Sequence, residues 1–150
     1  MTQMNSSSPL PLKQRLHVIA AFLPLFEHPG FTFGDWDEPE YVEPGVTTMP
    51  DFQFSGVAYA FIKTAYDHGW VCTDFNWPDW AHSPEAEGLR DDPEKMANAT
   101  QEQLSRLLTV VIRQERFCEG ALESAFESGL LTAICRRAVQ LESVTDDGDV

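Results

Sequence analysis

The chain of 150 residues is 43% hydrophobic and 11% aromatic, so it is long and apolar enough to bury the core of one ordinary domain. Wholesale disorder, a collagen-like chain and a disulfide-stabilised miniprotein are therefore excluded. Its 24 acids against 10 lysines and arginines give a formal net charge of −14, which excludes autonomous binding to a phosphate backbone.

The first predicted helix covers Lys13–Phe26, because apolar residues recur along it at helical spacing. Pro24 lies late in this segment and is expected to bend or end the helix. Dense proline and glycine then predict an irregular arm over residues 28–51. Within this arm, Phe31–Phe33 is the candidate for a short strand.

A second helix is predicted to begin after Ser55, whose side chain suits an N-cap, and to extend to about His68. Gly69 suits the left-handed stop of this helix. Trp70–Val71 and Thr73–Phe75 are candidates for extended chain. Three prolines then each suit the first turn of a short helix: Pro78, Pro84 and Pro93.

The back half carries the clearest helical signals. Thr100 and Gln103 form a capping box, and the aliphatic stripe after them predicts a helix to about Arg116. Apolar residues at helical spacing predict two further helices, the first ending at Gly129: Leu122, Ala125 and Phe126, then Leu131, Ile134, Ala138 and Leu141.

The predicted fold class is mainly α. We expect one compact helical domain over residues 12–142, with a long irregular acidic-aromatic arm and one or two short strands. Residues 1–11 are predicted to be a disordered N-terminal tail, and residues 143–150 an acidic C-terminal tail. No internal repeat or inter-domain linker divides the chain.

The apolar segments and the cysteines predict a cytoplasmic protein without membrane contact. The most apolar stretch, residues 18–26, contains Pro24 and is far shorter than the roughly 20 residues of a membrane span. No basic segment followed by an apolar one marks a secretory signal. Three cysteines that cannot all pair, and that lack C-x-x-C spacing, are typical of reduced thiols: Cys72, Cys118 and Cys135.

Several short motifs occur together in a fixed order. They are Phe22-Leu23-Pro24-x-Phe26, Gly69-Trp70-Val71, Phe75-x-Trp77-x-x-Trp80, Leu107-Leu108-Thr109, Arg113-x-x-Arg116-Phe117-x-Glu119-Gly120, Ala125-Phe126-x-x-Gly129 and Ile134-x-Arg136-Arg137. As a set, they resemble an uncharacterised family of small bacterial proteins that is classed as a domain of unknown function. The resemblance covers roughly residues 16–141 and implies one domain of bacterial or mobile-element origin. It implies no catalytic residue.

Negative charge and aromatic residues are both concentrated in the front half. Residues 16–89 carry twelve acids and one base, for a balance of −11, and fifteen of the 17 aromatic residues lie between Phe22 and Trp80. Aromatic faces beside carboxylates suit the recognition of cationic groups. The candidate binding residues are Asp35, Trp36, Asp37, Glu38, Glu40, Tyr41, Glu43, Asp74, Trp77, Asp79 and Trp80. The same composition also suits loops pinned to a core by buried rings, with indole N–H groups bonded to acids.

A second candidate site is a ligand pocket formed by Arg113, Arg116 and Glu119. Two arginines three residues apart share a helical face and can hold a carboxylate or phosphate. In a chain with so few bases, they are equally suited to tie the back helices to acidic loops.

The remaining chemistry-bearing residues predict no catalytic residue, metal site or cofactor. Cys72 lies four residues after His68, but a cysteine nucleophile needs an imidazole within hydrogen-bond reach, which sequence proximity does not establish. The four histidines lack metal-binding spacing, and no phosphate-binding glycine loop is present.

These observations lead to three functional hypotheses. The first is a non-enzymatic protein-binding module that acts as a decoy or inhibitor of a basic, nucleic-acid-binding protein, because the negative field attracts basic partners and repels nucleic acid and anionic lipid. The alternative is a small enzyme or anionic-ligand-binding domain with its pocket at Arg113, Arg116 and Glu119. The third is a homo-oligomer held together by exposed aromatic side chains.

Overall fold

A computed structural model describes residues 11–36, 41–47 and 52–145. These residues form nine helices and four short strands in one mainly α domain. The helices are α1 (Leu12–Ala20), α2 (Leu23–Phe26), α3 (Gly56–Asp67), α4 (Trp77–Ala81), α5 (Pro84–Asp91), α6 (Pro93–Ala97), α7 (Gln101–Gln114), α8 (Ala121–Glu127) and α9 (Leu130–Val144). The strands are β1 (Gly34–Trp36), β2 (Tyr41–Glu43), β3 (Val46–Thr47) and β4 (Phe52–Phe54).

The first predicted helix is divided in two. The chain leaves α1 after Ala20, and Pro24 lies in the first turn of α2, where a missing backbone N–H breaks no intrahelical bond. The expected interruption at Pro24 is therefore confirmed.

The arm contributes two antiparallel strand pairs. In the first, β1 lies against β4, with Gly34 opposite Phe54 and Trp36 opposite Phe52. In the second, β2 pairs with β3 across a turn that places Gly45 at φ +84°. The strand predicted at Phe31–Phe33 is wrong, because β1 begins only at Gly34; the Phe33 carbonyl accepts from the Ser55 N–H at 2.9 Å beside the strand pair, and the Phe33 ring is 1% exposed in the core.

The extended segments predicted at 70–71 and 73–75 are also wrong, since neither forms a strand. The backbone of Trp70 and Cys72 is hydrogen-bonded to side chains of helix α7 and does not pair with a strand. The Ser105 hydroxyl donates to the Trp70 carbonyl at 2.7 Å, and the Cys72 N–H donates to the Thr109 hydroxyl at 2.8 Å. The Trp70 side chain is fully buried, so its packing and these bonds determine the path of the chain.

The predicted helix boundaries after Ser55 agree with the structure. Ser55 caps α3 by accepting from the Ala58 N–H at 3.1 Å, and Gly69 follows the helix at φ +75°. The three prolines begin or lie in the first turns of α4, α5 and α6. The capping box of Thr100 and Gln103 opens α7 with both reciprocal bonds in place.

Helix α7 lies at the centre of the core. Eight of its residues are buried, which is more than one helical face: Leu104, Ser105, Leu107, Leu108, Thr109, Val110, Val111 and Ile112. Helix α9 packs against α1, α8 and α6, and continues to Val144, two residues into the predicted C-terminal tail. Lys13 on α1 binds the carbonyl of Glu142 at 2.8 Å, which anchors the end of α9.

Candidate functional site

The first group of candidate binding residues belongs to the arm. Asp35 is exposed in β1, and Trp36, Tyr41 and Glu43 have their backbones in strands. Three further acids, Asp37, Glu38 and Glu40, lie outside the described residues. Among the acids of this first group, Asp35 is the one whose side chain the structure describes.

The second group lies in and just before α4, and its two tryptophans have different environments. Trp80 is buried, and its indole Nε1 donates to Glu85 Oε1 at 3.0 Å, so its ring belongs to the core. Trp77 is half-buried at the surface. Asp74 and Asp79 are exposed, and Asp79 accepts from the Asn76 amide at 3.0 Å.

The Glu85 carboxylate is a fixed acceptor that sequence reasoning missed. Hydrogen bonds from Gln103 at 2.9 Å and from Trp80 lower its pKa, because both favour the charged form. Glu85 therefore ties α5 to α4 and to the start of α7. An acid five residues after a tryptophan is a weak pattern, and only the fold shows that they meet.

The turn between α7 and α8, residues 115–120, joins the two groups. The Phe52 N–H donates to Glu119 Oε2 at 2.7 Å, and Phe52 is the strand partner of Trp36. On the other side, the ring of Phe117 lies 6.3 Å from that of Trp77. The turn therefore contacts Trp77 directly, and it is linked to the arm through Phe52, the strand partner of Trp36. We use the name turn surface for Asp35, Trp77, Phe117 and Glu119.

Phe117 is 80% exposed, more than any other aromatic residue whose side chain the structure describes. Sequence reasoning singled it out only as part of the arginine motif. Tyr59 and Tyr66 on α3 are also exposed, at 58% and 47%. They are seven residues apart and lie on one helical face, a spacing that could have identified them from the sequence.

The three residues predicted for the alternative pocket differ in their exposure and in their partners. Glu119 is engaged by the Phe52 backbone, and Arg116 is exposed. Arg113 is half-buried, and its Nε is buried without a hydrogen bond to any described residue. Glu115, which sequence reasoning missed, accepts from the backbone N–H groups of Gly120 and Leu122 at 3.2 and 2.9 Å. Glu115 therefore caps the start of α8.

The cysteines differ in their surroundings. Burial raises the pKa of the Cys135 thiol, whereas Cys118 is exposed. Cys72 Sγ lies 3.4 Å from the Ser105 hydroxyl, and the nearby His68 ring bonds to the Thr64 carbonyl. In the described part of the chain, no group of three or more His, Cys, Asp or Glu residues is arranged to hold a metal ion. Within the same ranges, no helix has the length and apolar character to cross a membrane.

A family model described as "Family of unknown function (DUF6508)" matches residues 11–144. The chain belongs to this family. The match confirms the resemblance to a single-domain family of unknown function, and it spans every element from α1 to α9. No curated protein and no solved structure matches the DUF6508 chain.

Proposed function

We propose that this DUF6508 protein is a non-enzymatic binding module for a basic protein, which it contacts through the turn surface and the acids of the adjacent arm. The observation that carries the proposal is the different placement of aromatic and acidic side chains in the front half of the chain. Among the side chains that the structure describes, its aromatic residues largely enter the core, whereas its acids, from Glu27 to Glu87, are all exposed. The described part of the negative field of residues 16–89 is therefore presented to solvent.

Phe117 supplies an apolar anchor in this arrangement. An aromatic ring that is 80% exposed and rests on a second ring is typical of the anchor side chains of protein interfaces. Asp35 reaches the same region through the contacts of β1 with β4 and of β4 with the turn. A basic partner would then bury Phe117 and Trp77 while its lysines and arginines face the acids of the arm.

The partner class that this chemistry favours is a nucleic-acid-binding protein, whose basic surface is complementary to the acidic arm. Occupying that surface would block nucleic acid, so the module would act as a decoy or inhibitor. This role rests on charge complementarity. A homo-oligomer through Phe117 is the competing outcome, and it predicts self-association at the same ring.

The test is affinity capture followed by binding of the identified partner in purified form. The captured protein is identified by mass spectrometry, and its affinity for the full chain is measured at about 0.1 M and about 0.5 M salt. We expect a basic partner whose affinity falls at the higher salt concentration. Sedimentation of the chain alone measures self-association.

Matched variants locate the interface. One neutralises five acids of the arm, Asp35, Asp37, Glu38, Glu40 and Glu43, as Asn or Gln. Its control neutralises five exposed acids elsewhere, Asp67, Glu87, Glu94, Glu102 and Glu127, with the same change in net charge. A third variant is Phe117→Ala. Equal loss of affinity in the arm variant and in its control would contradict a specific acidic surface, and an unaffected Phe117→Ala would contradict the anchor.

An anionic-ligand pocket at Arg113, Arg116 and Glu119 is the second candidate function. The buried Arg113 Nε without a hydrogen-bond partner among the described residues supports it, because such a donor is available to an anion. An Arg113→Ala variant is expected to stay folded and to lose a small anionic ligand. If this variant unfolds, Arg113 instead has a structural role, and the pocket hypothesis is contradicted.

A further inference from the structure

A cleft of about 430 Å³ lies between α5, α6 and the beginning of α9. Three of the chain's 10 lysines and arginines line it, Arg90, Arg136 and Arg137, against a single acid, Asp91, among its described lining residues. Its floor is apolar, with Leu89, Met96 and Leu130 among the lining side chains. In a chain with a net charge of −14, this reversal of the local charge balance points to a ligand of negative charge.

The three arginines differ in how far they are already engaged. Arg137 is oriented by two bonds, from Nε to the Ala99 carbonyl at 2.8 Å and from Nη1 to Gln140 Oε1 at 3.0 Å. Arg136 forms an exposed ion pair with Glu27. Arg90 makes no hydrogen bond or ion pair within the described ranges. The guanidinium of Arg90 is therefore free to bind a ligand, and that of Arg137, which lines the same cleft, is held in position.

The backbone at the start of α9 adds to this environment. Gly129 precedes the helix at φ +89° and supplies no side-chain cap, so the first-turn N–H groups have no side-chain acceptor. The helix is long enough, at 15 residues, for its amino end to favour negative charge. The amino end of α9 therefore adds to the attraction of the arginines for an anion, and it does not define a site without them.

A second cleft, of about 480 Å³, adjoins the first and shares Arg90, Ser128 and Leu130 with it. The half-buried ring of Trp77 and the side chain of His82 line this neighbour. Arg90 therefore lines both the arginine-lined cleft and the neighbouring cleft with its aromatic side chains. A ligand that carries both a negative group and an apolar body can use both features.

We propose that this cleft binds a small organic anion, whose phosphate or carboxylate group is held by Arg90 and Arg137 and whose apolar body lies on the floor. The volume is within the range of small-molecule sites. Repulsion from distant acids is screened beyond a Debye length of about 8 Å at physiological salt, whereas charge-assisted bonds at contact are not. The lining of this cleft contains no residue of the turn surface and is basic where the arm is acidic, although Trp77 of the turn surface lines the adjoining cleft.

The experiment is a titration of the isotope-labelled full chain, followed by the shifts of its backbone amide NMR signals. Phenyl phosphate and benzoate test the two anionic groups, inorganic phosphate tests the anion alone, and benzyl alcohol tests the apolar body alone. We expect saturable shifts at residues 89–97 and 129–137 with phenyl phosphate or benzoate, and the tighter of the two identifies the preferred group. Inorganic phosphate and benzyl alcohol are each expected to bind at least about tenfold more weakly.

Two variants with the same change in charge locate the site. Arg90→Gln removes the unengaged guanidinium and is expected to raise the dissociation constant at least about tenfold. Lys63→Gln removes an exposed cation on α3, outside the cleft, and is expected to leave it unchanged. Absence of saturable binding, equal affinity in Arg90→Gln, or equal affinity for inorganic phosphate would each overturn the proposal. An equal loss of affinity in Lys63→Gln would overturn it as well, because binding would then follow the net charge of the chain and not the cleft.

Discussion

The two halves of the domain build one core from different side chains. In the front half, phenylalanines from α2, the arm and α3 pack against one another, as in the contact of Phe26 with Phe61 at 5.3 Å between ring centroids. In the back half, aliphatic stripes on α7 and α9 bury whole helical faces. The halves meet at Phe126 on α8, whose ring lies 5.4 Å from those of Phe26 and Phe33.

This difference shows how an irregular segment can be fixed in place. A helix positions its apolar residues by its own repeat, so even small side chains share a face. The arm has no such repeat, and large rings must supply the burial that holds it, because each phenylalanine removes much apolar area from water. Asp35, the acid of this segment whose side chain is described, is exposed.

The largest expected effect breaks the ring packing that joins the halves. Phe33→Ala should lower the free energy of unfolding by about 3–5 kcal/mol, because Phe33 is 1% exposed and stacks on Phe126. Phe117→Ala, with its ring 80% exposed, is the matched control and should change it by no more than about 0.5 kcal/mol. Urea denaturation followed by tryptophan fluorescence measures both. Similar losses in the two variants would contradict the separation of core rings from surface rings.

A smaller effect tests the backbone of the arm. A Cβ at Gly34 would lie 2.3 Å from the Gln53 carbonyl oxygen, so Gly34→Ala should separate β1 from β4 and cost about 1–3 kcal/mol. At Gly56 a Cβ meets nothing within 4 Å, and Gly56→Ala should stabilise α3 by about 0.4–1 kcal/mol. Thermal unfolding should show a lower melting temperature for Gly34→Ala and a higher one for Gly56→Ala. A neutral Gly34→Ala would mean that the β1–β4 pair is looser than described.

Glu119→Ala tests the bond between the arm and the back half. Loss of the acceptor for the Phe52 N–H should lower stability by about 1 kcal/mol and speed hydrogen exchange at the Phe52 amide. Glu127→Ala changes the same charge at an exposed position and is the control. An unchanged rate of hydrogen exchange at the Phe52 amide in Glu119→Ala would contradict the proposed link between the turn surface and the strands.

The smallest effect concerns pH. The pKa of Glu85 is lowered in the folded state by bonds from Gln103 and Trp80, so its contribution to stability is fully present above the ordinary glutamate pKa. That contribution is lost as the pH falls through the lowered folded pKa. The stability difference between the wild type and Glu85→Gln should therefore be larger at about pH 6 than at about pH 3. A difference that grows on acidification would contradict this sign.

Much of the helical framework could be predicted from local signals. Ser55, the capping box of Thr100 and Gln103, and the first-turn prolines act within three or four residues, so a sequence window contains all that they need. The strand predicted at Phe31–Phe33 failed because the register with β4 starts at Gly34, and the position of that partner, about 20 residues away, is outside a local sequence window. The extended chain predicted near Trp70 failed because Ser105 and Thr109 on α7 take its backbone bonds.

The sequence by itself determined the class of the fold, the places where most helices begin and end, and the excess of acids in the front half. Only the tertiary structure decided that Trp80 is a core residue, that Glu119 binds the Phe52 backbone, and that Phe117 stands at the surface. It also decided that Arg90, Arg136 and Arg137, spread over 48 positions of the printed chain, line one cleft. Caps and turns depend on neighbours along the chain, whereas a surface or a cleft depends on side chains that meet only after the helices have packed.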